Sequence, residues 1–192
     1  MNNARYGAIE AGGTKFICEV MDAEGTALAA ARIDTTTPDE TLAQMLQFFT
    51  RQQQLLGTLD AIGIAAFGPL DLQRDSPTFG HLLKTPKPQW SHTDFVSPLR
   101  RAFACAVAID TDVNAAALAE ALCGAGRACG TVVYITVGTG IGGGIYSEGR
   151  TLKGALHPEM GHIRVLRHAA DAQFAGCCPF HGDCLEGLAS GR

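Results

Sequence analysis

Apolar residues in the first half of the chain come in short runs, and the spacing inside each run predicts what it builds. Residues 6–10 and 16–20 read as strands joined by Ala11-Gly12-Gly13-Thr14-Lys15, and a third run at 27–33 follows the turn Asp22-Ala23-Glu24-Gly25. The three predict an antiparallel meander. The period then changes from two to about 3.6, with Leu42, Met45, Leu46 and Phe49 on one stripe. Thr37 suits an N-cap, Pro38 the first helical position, and Asp39 and Glu40 the positive end of the dipole, so a helix is expected to about residue 56. Residues 60–66 form a continuous apolar run, expected as a strand buried on both faces, which empties into Phe67-Gly68-Pro69-Leu70-Asp71. Loops after such strands are where α/β proteins hold ligands.

From residue 73 to 90 the chain is rich in Pro, Gly, Thr and Lys and ends at the only tryptophan, so an ordered surface excursion is expected. A strand at 106–110 follows, then an alanine-rich helix from Asp112 to about residue 122. Strands at 131–137 and 141–146 flank Gly138-Thr139-Gly140, repeating the strand-glycine-strand pattern of the N-terminus. Two related halves are predicted, residues 1–111 and 112–192.

Composition narrows the partners more than the fold. The 192 residues suit one domain or two small ones, and 46% hydrophobic against 18% charged residues supplies ample core. A net charge of -4 without a basic stripe argues against nucleic acid. No apolar run reaches the roughly 18 residues of a membrane span, and no leader-like segment precedes Tyr6. A cytoplasmic protein is expected, whose seven cysteines serve as thiols or metal ligands rather than disulfides.

Two glycine-rich segments and one Cys/His segment carry the candidate chemistry. In Glu10-Ala11-Gly12-Gly13-Thr14-Lys15, backbone N–H groups, the Thr14 hydroxyl and the Lys15 ammonium can converge on phosphate oxygens. The segment lacks the Walker spacing, and a plain hairpin turn is the alternative. Gly138-Thr139-Gly140-Ile141-Gly142-Gly143-Gly144 is a denser candidate of the same kind. Asp112 is either a helix cap or a carboxylate base at a helix start. Cys178, His181 and Cys184, at Cys-x2-His-x2-Cys spacing, can join His162 in a closed Cys2His2 zinc site, with Cys177 as an adjacent competitor. Cys18, Cys105, Cys123 and Cys129 are expected to pack among apolar or small residues.

Taken jointly, the two glycine loops, Asp112-Val113-Asn114, Glu159-x2-His162 and the Cys/His cluster resemble the ROK family of sugar kinases. Glu10-Ala11-Gly12-Gly13-Thr14-Lys15, Thr85-Pro86-Lys87-Pro88-x-Trp90 and residues 178–191 are similar to its bacterial fructokinase branch. The resemblance implies an actin-like ATPase fold, two ribonuclease-H-like α/β domains around a cleft that closes on ATP, Mg2+ and a hexose, here with an incomplete second domain. It implies that Asp112 is the general base and that Glu159, His162 and Glu186, with Gly68 and Pro69, contact the sugar. Glu10, Gly12, Gly13, Thr14, Lys15, Gly138, Thr139 and Gly140 would serve the nucleotide, with Glu10 where many actin-like kinases carry an Asp that organises Mg2+. Structural zinc on His162, Cys178, His181 and Cys184 would orient the sugar pocket. Thr111 stands where many members have Asn, and His181 where many have a third cysteine. The expected activity is ATP-dependent phosphorylation of D-fructose; a kinase for glucose, mannose or N-acetylmannosamine, and an inactive zinc-containing sugar-binding fragment, are the alternatives. A homodimer is an expected assembly. Family members run on for about another hundred residues, and a ROK repressor would carry a helix-turn-helix before the first strand.

Overall fold

Strand β1 (Arg5–Ala11) turns back through β2 (Lys15–Asp22) to β3 (Ala27–Asp34), and both pairings are antiparallel, which is the expected meander. The computed structural model describes residues 4–154 and 158–191. It divides into two units, Met1–Asp112 and Val113–Arg192. Among the described residues, no helix is long and apolar enough to cross a membrane.

Helix α1 (Pro38–Leu56) begins where its capping signals place it, with the Thr37 side chain accepting from the Glu40 amide. It buries Thr41, Met45 and Phe49, and Leu42 and Leu46 pack beside them. Strand β4 (Ala61–Ala66) then inserts parallel to β1, and after α2 (Val96–Ala102) strand β5 (Ala106–Thr111) adds parallel to β4. The five-stranded order is β3-β2-β1-β4-β5, with α1 and α2 in mutual contact. Residues of period two on the covered face, Ile9, Phe16, Val20, Ile62, Ile64, Val107 and Ile109, meet Phe49, Leu99 and Phe103 in the core.

Two expectations are corrected here. Strand β4 is not buried on both faces: Ile62, Ile64 and Ala66 are, while Ala61 and Ala65 are half-exposed and Gly63 is exposed. Its other side consists of small residues, as do Ala8 of β1 and Ala108 of β5 in the same row. The stretch from 73 to 90 is not merely a surface excursion either, because Leu82 and Trp90 lie fully buried. Trp90 stacks on Phe95 with ring centroids 6.1 Å apart and donates Nε1–H to the Thr36 carbonyl at 2.9 Å. A large aromatic with one satisfied polar atom gains more from burial than from solvent.

The second unit takes up the chain in α3 (Asp112–Leu122) and builds a three-stranded antiparallel sheet from β6 (Thr131–Val137), β7 (Ile141–Ser147) and β8 (Arg150–Thr151). Gly142, Gly143 and Gly144 lie inside β7, in the strand expected at 141–146, so they do not belong to the candidate phosphate loop. A Cβ on Gly144 would come within 2.1 Å of the Val113 carbonyl oxygen, and one on Gly143 within 2.8 Å of Met160. Close packing, not phosphate, is what these two glycines permit. A 3-10 turn at Met160–His162, a second at Ala169–Asp171 and the short α4 (Leu185–Ala189) complete the described chain.

Candidate functional site

Parallel register makes an edge in the first unit. Ala11 pairs with Ala66, and Ala66 with Thr111, so the chain leaves β1, β4 and β5 at one level into Gly12, Phe67 and Asp112. Phe67 N–H donates to the Ala11 carbonyl at 2.9 Å, which ties the second exit to the first. Gly68 and Pro69 follow at once through a cis peptide, and the Pro69 carbonyl accepts from Leu83 N–H at 2.8 Å. Asp112, the first residue of α3, is exposed, and the helix N-terminus favours its negative charge.

The turn at 12–15 is more specialised than a bare hairpin. Gly12 N–H donates to the Lys15 carbonyl at 2.9 Å, the Thr35 hydroxyl to the Gly12 carbonyl at 2.8 Å, and the Thr35 amide to the Thr14 carbonyl at 2.9 Å. Lys87 Nζ donates to the Gly13 carbonyl at 2.6 Å. All four carbonyls are thus taken by the protein, while the Gly13 and Thr14 amides have no partner among the described residues and both residues are exposed. Two outward N–H groups in succession suit an anion. Gly12 is sterically required, because a Cβ there would meet the Lys15 carbonyl oxygen at 2.8 Å. Lys15 is exposed at the end of the same turn.

Glu10 points to the open face of the sheet, in register with Ala65, which pairs in turn with Asp110. Sequence reasoning passed over Asp110; strand alternation, counted back from the Thr111 exit, would have put it on the face that bears Glu10.

In the second unit, one segment gathers four candidate metal ligands. One ligand atom each from His162, Cys178, His181 and Cys184 lies within 4.8 Å of all the others. His162 Nδ1 stands 3.7 Å from Cys178 Sγ and 3.6 Å from Cys184 Sγ, and His181 Nδ1 stands 3.9 Å from Cys178 Sγ. The local fold explains the convergence. Cys178 and Gly182 exchange backbone hydrogen bonds of 3.3 and 3.0 Å around the turn that carries His181, and Gly182 adopts φ +64°. Leu185 N–H then donates to the Ile163 carbonyl at 2.9 Å, binding α4 to the turn that carries His162. Burial raises the Cys178 thiol, but hydrogen bonds from the Phe180 and His181 backbone and from Cys184 outweigh it and leave the pKa below its ordinary value. A metal ligand must shed its proton, so the direction suits the role.

Cys177 faces elsewhere, its sulfur 3.6 Å from the Ser190 hydroxyl. Cys123 and Cys129 are exposed rather than packed, which corrects the expectation for them, whereas Cys18 is buried and Cys105 half-buried. Sequence reasoning also missed the clamp on this segment: Asp183, between two candidate ligands, pairs with Arg164 and, at 3.5 Å, with Arg167 Nε. Arg167 further donates to the Asp171, Ala172 and Phe174 carbonyls. No short-range motif marks such a tertiary pairing.

Glu186 and the second glycine loop prove to be one assembly. Glu186 Oε2 accepts from Ile141 N–H at 3.0 Å, and the Gly138 carbonyl accepts from Gly191 N–H at 2.7 Å. The loop proper is Gly138-Thr139-Gly140, closed by Gly138 N–H to the Gly140 carbonyl at 2.9 Å. Glu159 immediately precedes the turn that bears His162 and is exposed.

Comparison with known proteins gives a consistent result. The model of the ROK family matches residues 6–192. A fructokinase of Zymomonas mobilis is 52% identical over 97% of this chain and 62% of its own length. A putative fructokinase of Bacillus subtilis is 47% identical over 96% of this chain and 60% of its own. The crystal structure of a ROK hexokinase from Thermus thermophilus superposes with a TM-score of 0.77 at 30% identity, covering 98% of this chain and 61% of that one. The chain therefore spans about three fifths of the length of the relatives it matches.

Proposed function

The chain belongs to the ROK family and has its actin-like ATPase fold, and from that premise we propose that it serves ATP-dependent phosphorylation of D-fructose to fructose 6-phosphate in the cytoplasm. One observation carries the reaction class: the register of β1, β4 and β5 brings a turn with two unpartnered N–H groups and the carboxylate of Asp112 to a single edge. Phosphoryl transfer asks for little else than positioned phosphates, charge stabilisation and an oriented base. Fructose is preferred because the relatives at 52% and 47% identity are named for it.

In this reading Asp112 accepts the proton of the sugar hydroxyl as its oxygen bonds to the terminal phosphorus and the bridging oxygen leaves with ADP. Gly12, Gly13, Thr14 and Lys15 receive phosphate oxygens, and Gly138, Thr139 and Gly140 complete the nucleotide contacts. Mg2+ would neutralise phosphate charge near Glu10, the carboxylate nearest that turn on β1. Glu159, His162 and Glu186 bind hexose hydroxyls, with Gly68 and Pro69 beside the acceptor. Specificity then comes from polar groups that lose partners with the wrong sugar.

Zinc is the metal that the Cys2His2 set fits. Bond lengths of about 2.3 Å to sulfur and 2.0–2.1 Å to nitrogen put neighbouring S and N ligands of a tetrahedron roughly 3.6 Å apart. The spacings of 3.6, 3.7 and 3.9 Å agree with that edge. Four protein ligands close the coordination sphere, so zinc would supply rigidity alone, holding His162 by Nδ1 and leaving Nε2 for the sugar. We also propose a homodimer, to be checked by light scattering.

Sugar-dependent ADP release by this chain with fructose, glucose, mannose and N-acetylmannosamine tests the proposal. Turnover with fructose is expected. Turnover with another hexose alone would reassign the substrate, and calorimetric hexose binding without any turnover would replace the kinase reading by a sugar-binding one.

A further inference from the structure

Thr85-Pro86-Lys87-Pro88 brings an ammonium group to the turn at 12–15. We propose that Lys87 is a phosphate-binding residue that engages the terminal phosphoryl group of the donor nucleotide. The inference rests on the reading that this turn receives phosphates.

Lys87 is a held side chain. Prolines at 86 and 88 restrict the backbone on both sides. Lys87 N–H donates to the Thr85 hydroxyl at 3.4 Å, and its carbonyl accepts at 3.2 Å from the amide of the fully buried Trp90. Its Nζ reaches across the unit to the Gly13 carbonyl at 2.6 Å. An ammonium has three N–H donors, and this bond uses one.

Fixing a carbonyl needs no charge. The neighbouring Gly12 and Thr14 carbonyls are held by the hydroxyl and amide of Thr35 alone. At Gly13 a cation does the same task, on the carbonyl side of the very peptide whose N–H, that of Thr14, is unpartnered. An anion at the turn meets two N–H dipoles, and the Lys87 ammonium, whose two further N–H donors are not used on Gly13, adds a full positive charge at the same turn. The terminal phosphoryl is the group concerned, because the turn shares its edge with Asp112 and the phosphorus attacked by the sugar oxygen must lie nearest that carboxylate. Lys87 would thus compensate the charge on the equatorial oxygens during transfer.

The test is calorimetric titration of this chain with ATP and with ADP, in Mg2+ buffer, for the unsubstituted protein and for K87M, K87Q, K87R and G12A. Glutamine keeps an N–H donor, one bond shorter than lysine, and deletes the charge, while arginine keeps the charge, so the pair reports on the cation even where methionine unfolds the turn. K87Q should weaken ATP about tenfold or more, as expected for loss of a charge-assisted contact, and ADP much less. K87R should retain the preference for ATP. Equal weakening of both nucleotides would show that Lys87 only braces Gly13, and unchanged binding would show no role; either result overturns the proposal. G12A separates the two levels, since its Cβ would sit 2.8 Å from the Lys15 carbonyl oxygen and distort the turn. If G12A loses both nucleotides while K87Q binds normally, the turn holds phosphate and Lys87 does not. If G12A binds like the unsubstituted protein, or that protein binds neither nucleotide, the phosphate reading of the turn itself fails, and the role of Lys87 with it.

Discussion

Gly140→Ala should damage hexose binding while leaving the fold intact, and Gly138→Ala should disturb neither. A Cβ at 140 would stand 2.7 Å from Glu186 Oε2, against about 3.4 Å for ordinary contact, so the carboxylate oxygen must retreat by about 0.7 Å. That oxygen accepts from Ile141 N–H at 3.0 Å, and the retreat would stretch the bond to roughly 3.7 Å, outside hydrogen-bonding range. A hydrogen bond from a hexose hydroxyl to that carboxylate is worth about 1.5–3 kcal/mol, so a displaced Glu186 should weaken fructose on the order of 10- to 100-fold. The clash falls on the far end of a flexible side chain, which can move aside, so stability should fall by no more than that one hydrogen bond, a drop of about 10 °C or less in melting temperature. At 138 a Cβ would meet nothing within 4 Å, and neither glycine has positive φ, which makes the pair a matched control. Fructose titration by calorimetry, with thermal unfolding alongside, reads both quantities. Equal affinities in the two variants would refute the role given to Glu186, and a large loss of stability in Gly140→Ala would refute the steric argument.

The other predictions concern the base, the metal, the core and the thiols. Asp112→Asn should abolish sugar-dependent ADP release and leave fructose binding by calorimetry largely unchanged; surviving turnover would place the base elsewhere. Cys184→Ser should lose bound zinc, measured by elemental analysis of the purified protein, whereas Cys177→Ser should keep it, because Cys177 points to Ser190. Trp90→Phe should cost about 2–4 kcal/mol in denaturant unfolding, from a cavity in the aromatic cluster plus a Thr36 carbonyl left without its donor. Burial pushes the Cys18 thiol up to about 12 from an ordinary value of 9.0, so alkylation near pH 8.5 should reach exposed Cys123 and Cys129 long before Cys18. The sign for stability follows: the unfolded thiol ionises from about pH 9 while the folded one stays protonated, so the contribution present below pH 9 is lost between about 9 and 12, visible as a falling urea midpoint.

Local order was legible wherever neighbouring residues dictate it. The cap at Thr37, the stripe Met45 and Phe49, the strand runs and the helix start at Asp112 were all readable, because period and capping act over a few residues. Spacing likewise marked Cys178, His181 and Cys184 as one group, and the turn around Gly182 keeps them close along the chain. Misreadings arose where a distant partner decides the outcome. Gly142 to Gly144 look like phosphate-binding residues until α3 and Met160 press against them, Trp90 looks peripheral until Phe16, Phe67 and Phe95 surround it, and Asp110 acquires interest only beside Glu10.

By itself, then, the sequence determined the elements, the family and the chemical types available: glycine turns, one carboxylate at a helix start, and a Cys2His2 set. Tertiary structure alone decided which atoms are left for function. Three turn carbonyls are consumed by Thr35 and Lys87 so that two amides stay unpartnered, and the Glu186 carboxylate is aimed by an amide 45 residues away. The physical reason is that propensity is a sum over neighbours in the chain, whereas the satisfaction of a polar atom depends on whatever folding brings within about 3 Å of it.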